Sequence, residues 1–128
     1  LATQAAQTGH LVLSTLHTRN AHGTLARLKH LGIDSETIQS CLLCASSQRL
    51  VKRICQACYE APSTTRLGCP TCKGSGTVGR IGVHEVLTQS QLLNPSDAYV
   101  SMRTAGINYV KQGLISQANL DAEIGTWQ

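Results

Sequence analysis

Two closely spaced cysteine pairs, Cys55-Gln-Ala-Cys58 and Cys69-Pro-Thr-Cys72, stand ten residues apart in the middle of the chain. Two residues between paired cysteines allow one tight turn to direct both sulfurs at the same metal ion. Two such turns complete a tetrahedral site of four sulfurs. Glycines around the second pair supply the positive φ angles that these turns need. The spacing therefore predicts one structural Zn²⁺ on Cys55, Cys58, Cys69 and Cys72.

The alternative for these cysteines is a pair of disulfide bonds in a secreted chain. Nothing else in the sequence suggests secretion; the start at Leu1 does not decide, because a mature secreted chain would begin in a similar way. A catalytic zinc is not expected, since four thiolates leave no open coordination position. Cys41 and Cys44 have the same spacing but no further ligands, and we interpret them as small buried residues on one helix face.

The composition indicates one domain or two small lobes with a buried core. The 128 residues are 41% hydrophobic and 14% charged, which excludes global disorder. Aromatic residues make up 3%, and Phe is absent, so stacking platforms for single-stranded nucleic acid are nearly excluded. No run reaches the roughly 18 apolar residues that a membrane span needs. The formal charge is +4, and four thiolates around Zn²⁺ would lower it to about +2, an ordinary value.

Hydrophobic patterning predicts a mixed α/β fold. The apolar run at residues 10–17 is typical of a strand buried on both faces, and residues 79–87 alternate as a second strand does. Residues 48–55 fit either a helix end or a strand. We expect five helices. The first ends at Gly9, the second runs from a cap at Asn20 to Leu31, and the third begins at Asp34 or Ser35. The fourth begins at Pro95 and is broken by Gly113, and the last begins at Ser116.

Several motifs, in order, resemble those of the secretion ATPases, which power type II secretion and type IV pilus assembly. Residues 8–18 resemble the histidine box of that family, and Ala21 to Leu28 resemble the helix that follows it. Residues 48–55 resemble its Q-R-L-V-R-x-L-C motif, and residues 76–85 resemble G-x2-G-R-x-G-x2-E. The match covers roughly residues 1–90, and the zinc lobe is similar to that of the assembly and export branch.

The resemblance implies three parts: the C-terminal part of a RecA-like ATPase core in residues 1–54, a zinc-binding lobe in residues 55–76, and a strand with a helical C-terminal subdomain in residues 77–128. In the family, the phosphate-binding loop and the acidic residues precede the histidine box, and this sequence contains no G-x4-G-K-[ST]. It also lacks an initiator Met. We therefore expect a C-terminal fragment that uses ATP and Mg²⁺ only within the full-length protein and is inactive alone.

The resemblance also implies site residues. Ligands of open α/β sheets bind beyond the carboxyl ends of strands, so His17 is expected to sense the γ-phosphate, with an imidazole that can donate whether neutral or charged. His10, roughly 20 Å away at the start of the expected strand, is assigned a structural or interface role. Further candidate nucleotide contacts are Ser14, Thr15, Thr18 and Arg49.

Hexamers that work on an inner-membrane platform protein are typical of this family. We therefore expect the full-length protein to be a hexamer in the cytoplasm, peripheral to the bacterial inner membrane. We expect it to have no transmembrane segment and to bind no specific nucleic acid. The alternative is a free-standing zinc ribbon that binds nucleic acid, with a steep salt dependence. Its basic residues would be Arg49, Lys52, Arg53, Arg66, Lys73 and Arg80. A third candidate, from the sequence at residues 69–76, is a fragment of a zinc-dependent co-chaperone.

Overall fold

The computed structural model describes residues 1–59, 68–94 and 96–125. Within them lie six α-helices and two strands, and the predicted mixed α/β class is confirmed. The helices are α1 (Ala2–Gln7), α2 (Gly23–His30), α3 (Ser35–Cys41), α4 (Gln89–Leu93), α5 (Met102–Lys111) and α6 (Gln117–Ile124). The strands are β1 (Cys44–Ile54) and β2 (Thr77–Thr88), and a short 3-10 turn covers Gln56–Cys58.

The two strands form an antiparallel ribbon. The N–H of Gln89, just after β2, donates to the carbonyl oxygen of Leu43, just before β1, at 2.9 Å. At the other end, the N–H of Cys55 donates to the carbonyl oxygen of Gly76, also at 2.9 Å. The strand predicted at residues 79–87 is therefore confirmed, and the ambiguous residues 48–55 belong mainly to a strand. The cysteine pairs lie in the connection between the strands.

The chain divides into two compact units. The first unit consists of Leu1–Ser47 and Glu85–Tyr99. Its core contains Ala21, Leu87 and Leu92, packed by three half-buried residues, Leu25, Leu42 and Ala45. Leu25, Leu92, Ala45 and Leu87 come from α2, α4, β1 and β2, so these four elements share one small core, to which the connecting residues Ala21 and Leu42 also contribute.

The second unit consists of Gln48–His84 and Val100–Gln128. Its core residues are Val51, Val83, Met102, Ile115, Leu120 and Ile124. Gly106 of α5 is buried against the side chain of Leu120 in α6, which lets the two helices approach closely. The apolar residues of α5 and α6 thus cover the inner face of the ribbon in this unit.

Local capping signals account for most helix ends. Gly9 and Gly32 adopt φ angles of 95° and 90° just beyond α1 and α2, where a left-handed residue closes a helix. Asp34 accepts a hydrogen bond from the N–H of Thr37 at 2.7 Å, and Ser116 accepts one from Asn119 at 3.0 Å. The hydrogen bonds from the backbone and side chain of Thr37 lower the pKa of Asp34. The predicted starts of α3 and α6 are confirmed.

The strand predicted at residues 10–17 is wrong, since residues 10–18 contain neither helix nor strand. A strand needs a neighbour for its N–H and C=O groups. The described residues offer no third strand to pair with it. Leu11 and Leu13 are accordingly 79% and 90% exposed.

Two further expectations are corrected. The helix expected from Pro95 begins only at Met102, because Ser101 accepts the N–H of Thr104 and acts as the N-cap. Pro95 itself lies outside the described residues. Cys41 and Cys44 do not share a helix face, because α3 ends at Cys41 and the exposed Cys44 begins β1. Sequence reasoning also missed α4, although Thr88 and Gln91 form a capping box at its start.

Candidate metal centre and histidine segment

Two tight turns present the cysteine pairs. In the first, the N–H of Cys58 donates to the carbonyl oxygen of Cys55 at 3.3 Å within the 3-10 turn. In the second, the N–H of Lys73 donates to the carbonyl oxygen of Cys69 at 2.8 Å. Lys73 and Gly74 both adopt positive φ, at 54° and 88°. Such a left-handed pair reverses the chain directly after Cys72 and leaves both sulfurs on its inner side.

The four cysteine sulfurs converge and are all buried. Every pair lies within 4.8 Å. The Sγ atoms of Cys55 and Cys69 are 3.9 Å apart, and those of Cys58 and Cys72 are 3.7 Å apart. Four sulfurs at about 2.3 Å from the centre of a tetrahedron would be about 3.8 Å apart. The cluster therefore fits one tetrahedral metal ion, and these four residues could hold it.

The surroundings act differently on the four thiols. Burial and hydrogen bonds with the neighbouring thiols raise the pKa of Cys58 to about 12. Burial also raises the pKa of Cys72, but hydrogen bonds from the backbone of Gly76 and Gly74 outweigh it and lower that pKa to about 6. The backbone N–H of Cys72 lowers the pKa of Cys69. Cys72 of the second turn is thus a thiolate at neutral pH, which is the form that binds a metal ion.

The first cysteine turn is attached to the turn between α5 and α6. The N–H of Ile54 donates to the carbonyl oxygen of Leu114 at 2.9 Å. The side-chain amide of Gln56 donates to the carbonyl oxygen of Gly113 at 3.1 Å. A methyl group at Gly113 would lie 3.5 Å from the hydroxyl oxygen of Tyr59. Two hydrogen bonds, from Ile54 and from Gln56, therefore hold the base of the lobe against the helical turn, and Tyr59 lies close beside Gly113.

The residues expected to contact nucleotide lie in two places. Residues 10–18, which we call the histidine segment, have no regular structure, and Ser14, Thr15 and His17 are exposed there. The hydroxyl of Thr18 donates to the carbonyl oxygen of Asn20 at 3.0 Å. Arg49 belongs to the second unit, where its guanidinium donates to the carbonyl oxygen of Gln48 at 3.0 Å. The nucleotide roles of these five residues stay predictions.

His10 lies against the end of α1. Its Nδ1 atom is 3.2 Å from the carbonyl oxygen of Ala5 and 3.2 Å from the hydroxyl oxygen of Thr8. The same carbonyl oxygen accepts the N–H of His10 at 3.1 Å and the hydroxyl of Thr8 at 2.9 Å. The structural or interface role expected of His10 stays a prediction.

The sequence did not predict the contact of Glu85 with Ala21. The Oε1 atom of Glu85 accepts the N–H of Ala21 at 3.0 Å. The alternation of β2 could have shown that Glu85 is buried, because it puts Glu85 on the same face of the strand as the buried residues Val83 and Leu87. A carboxylate at a core position needs a hydrogen-bond donor.

A profile of the family described as "Type II/IV secretion system protein" matches residues 1–120. This chain belongs to that family. It is 36% identical to the type II secretion system ATPase E of Vibrio cholerae over 91% of its length. It is 37% identical to the protein transport protein HofB homolog of Haemophilus influenzae over 98% of its length. Its identity to the type IV pilus assembly ATPase PilB of Thermus thermophilus is 37% over 68% of its length. The resemblance stated from the motifs is confirmed.

The chain spans 30%, 26% and 12% of the lengths of these three relatives. Most of each relative therefore has no counterpart in these 128 residues. None of the helices in the described parts of the chain has the length and apolar character needed to cross a bilayer.

Proposed function

We propose that this chain is the C-terminal part of a hexameric motor ATPase that drives the assembly of pilins or pseudopilins. The observation that carries the proposal is the family match over residues 1–120, which contains both the histidine segment and the cysteine cluster. The relatives are described as type II secretion and type IV pilus assembly ATPases. These descriptions do not favour the nucleic-acid alternative.

The metal in this proposal is Zn²⁺, held by Cys55, Cys58, Cys69 and Cys72. Four thiolates with sulfur separations near those of a tetrahedron favour zinc and fill its coordination shell. When bound, the ion cross-links the two cysteine turns and has no position for a substrate. The role of the site is therefore structural, and it stabilises the lobe at residues 55–76.

Nucleotide contacts are proposed only for the full-length protein, where ATP and Mg²⁺ would bind. His17 would sense the γ-phosphate from the exposed end of the histidine segment. Further contacts would come from Ser14, Thr15, Thr18 and Arg49. The exposure of His17, Ser14 and Thr15 leaves their polar atoms available to a ligand. His10 would hold the other end of the segment against α1.

The remaining proposals concern organisation and partners. Residues 1–54 would belong to the ATPase core, residues 55–76 to the zinc lobe, and residues 77–128 to the helical subdomain. The full-length protein would act in the cytoplasm at the inner membrane. There, movement of the ring subunits would be passed to a platform protein. The attachment of the lobe to the α5–α6 turn supports treating these two parts as one mechanical element.

Metal content and thiol counts of the purified chain test the metal proposal. We expect one Zn²⁺ per chain, four thiols released by chelation and two thiols reactive throughout. Cys55→Ser should abolish zinc binding, whereas the matched variant Cys44→Ser, at an exposed cysteine outside the cluster, should retain it. Zinc-free protein without reactive thiols would indicate disulfides and overturn the proposal.

ATP hydrolysis tests the motor proposal. The isolated chain should show no ATPase activity above background, because phosphate binding and Mg²⁺ coordination need residues outside it. A longer protein that includes this chain should hydrolyse ATP and should lose most of that activity on His17→Ala. Hydrolysis by the isolated chain, or a longer protein indifferent to His17→Ala, would contradict the corresponding part of the proposal.

A further inference from the structure

Glu85 is a buried carboxylate that the proposed function does not use. It is 4% exposed and lies between Val83 and Leu87 on the core side of β2. A carboxylate in such a place is costly unless a donor satisfies it. Its Oε1 atom accepts the N–H of Ala21, 64 positions away along the chain. This contact therefore has a specific target, the turn that follows the histidine segment.

The turn at residues 18–23 is closed by its own hydrogen bonds. The hydroxyl of Thr18 donates to the carbonyl oxygen of Asn20 at 3.0 Å, and the side chain of Asn20 accepts the N–H of Gly23 at 2.9 Å. A methyl group at Gly23 would lie 3.3 Å from Cβ of Thr18, so the turn is tight. Ala21, at its centre, is fully buried in the core of the first unit. Fixing Ala21 therefore fixes the whole turn.

The histidine segment before this turn lacks comparable support. Among the described residues, no backbone–backbone hydrogen bond involves residues 11–17. His17 directly precedes Thr18, so the closed turn is the nearest fixed point of the chain. We propose that Glu85 is a positioning residue, which fixes the turn through the N–H of Ala21 and thereby sets the position of His17. This inference rests on the proposed nucleotide role of His17.

Amide hydrogen exchange in the isolated chain tests the structural half of the inference. A hydrogen bond to a charged acceptor is strong enough that its loss should raise local exchange about tenfold or more. We expect this rise at the amide of Ala21 in Glu85→Ala, with the amide of Leu120 in the other unit unchanged. Glu85→Gln, which keeps an acceptor oxygen of similar size, should give a smaller rise. It also serves if Glu85→Ala fails to fold. Equal changes at Ala21 and Leu120, or no change at Ala21, would overturn the inference.

The functional half needs the longer ATPase of which we propose this chain to be a part. Because Glu85 acts through His17, Glu85→Ala should lower kcat in the native background and should have no further effect in a His17→Ala background. A further loss of kcat in the double variant would refute positioning through His17. If His17→Ala alone leaves kcat unchanged, the proposed role of His17 fails, while the exchange result still decides whether Glu85 holds the turn.

Discussion

Gly106→Ala perturbs a close contact between α5 and α6. Gly106 is buried, and a methyl group added to it would overlap Cδ1 of Leu120 and lie 2.9 Å from Cδ2. Leu120 is fully buried in the core of the second unit, so its side chain has little room to withdraw. The variant therefore forces either the leucine or the two helices to move.

Two opposing terms set the size of the effect. Overpacking a well-filled core costs about 1–3 kcal/mol, whereas alanine in place of glycine within a helix contributes about 1 kcal/mol of stability. The expected net destabilisation is about 1 kcal/mol. Leu120→Ala alone should cost about 2–5 kcal/mol, because it leaves a cavity. In the double variant, the clash disappears, so its cost should be about 1 kcal/mol or more below the sum of the single costs.

Urea unfolding of the native chain, both single variants and the double variant measures this coupling, with zinc present in excess throughout. A double variant whose cost is about 1 kcal/mol below the sum of the two single costs would establish the contact between the helices. If the double-variant cost equals that sum to within about 0.5 kcal/mol, Gly106 and Leu120 do not interact as described. A Gly106→Ala variant that gains the full helix-propensity increment would lead to the same conclusion, because either result means that the methyl group meets no resistance.

Three further predictions concern the same unit. Ser101→Ala removes the N-cap of α5 and should cost about 1 kcal/mol in urea unfolding, whereas Ser96→Ala, at an exposed position outside any helix, should stay within about 0.5 kcal/mol of the native chain. Hydrogen bonds from Arg103 and Gln117 lower the pKa of Asp121 below its usual 3.8. The ionised carboxylate therefore stabilises the fold at pH values above 3.8, and this stabilisation is lost as the pH falls through the lowered pKa. Asp121→Asn should therefore be less stable than the native chain near pH 7, and the difference should shrink as the pH falls below 3.8; a difference that stays constant through acid titration would refute the assignment. Chelation should raise hydrogen exchange at the amide of Ile54, which bonds to Leu114, while the amide of Ala21 in the first unit stays protected; unchanged exchange at Ile54 would contradict the coupling of lobe and turn.

Features determined by neighbouring residues could be predicted from the sequence. Three signals act over only a few residues: the spacing of the cysteines, the N-caps Asp34 and Ser116, and the glycines after α1 and α2. The structure contains the turns and helix ends expected from them. Alternation along β2 likewise revealed its buried face. These signals required no knowledge of the rest of the fold.

Features determined by distant residues could not be predicted in this way. The apolar run at residues 10–17 has the composition of a buried strand, but forming one depends on neighbouring strands that the described residues do not supply. The contact between Glu85 and Ala21 joins positions 64 residues apart, and local periodicity contains no information about such a pair. The motif at residues 76–85 includes Glu85, but nothing in the sequence near it indicates Ala21 as its partner.

The attachment of the lobe to the α5–α6 turn has a consequence for the order of events during synthesis. A ribosome makes both cysteine pairs before it makes Gly113 and Leu114, the residues to which Gln56 and Ile54 bond. At about 5–20 residues per second, the delay between Cys72 and Gly113 is about 2–8 seconds. During that interval the proposed zinc site can be filled, which would complete the surface to which the helical turn binds. The helical tail then folds against a template that is already in place.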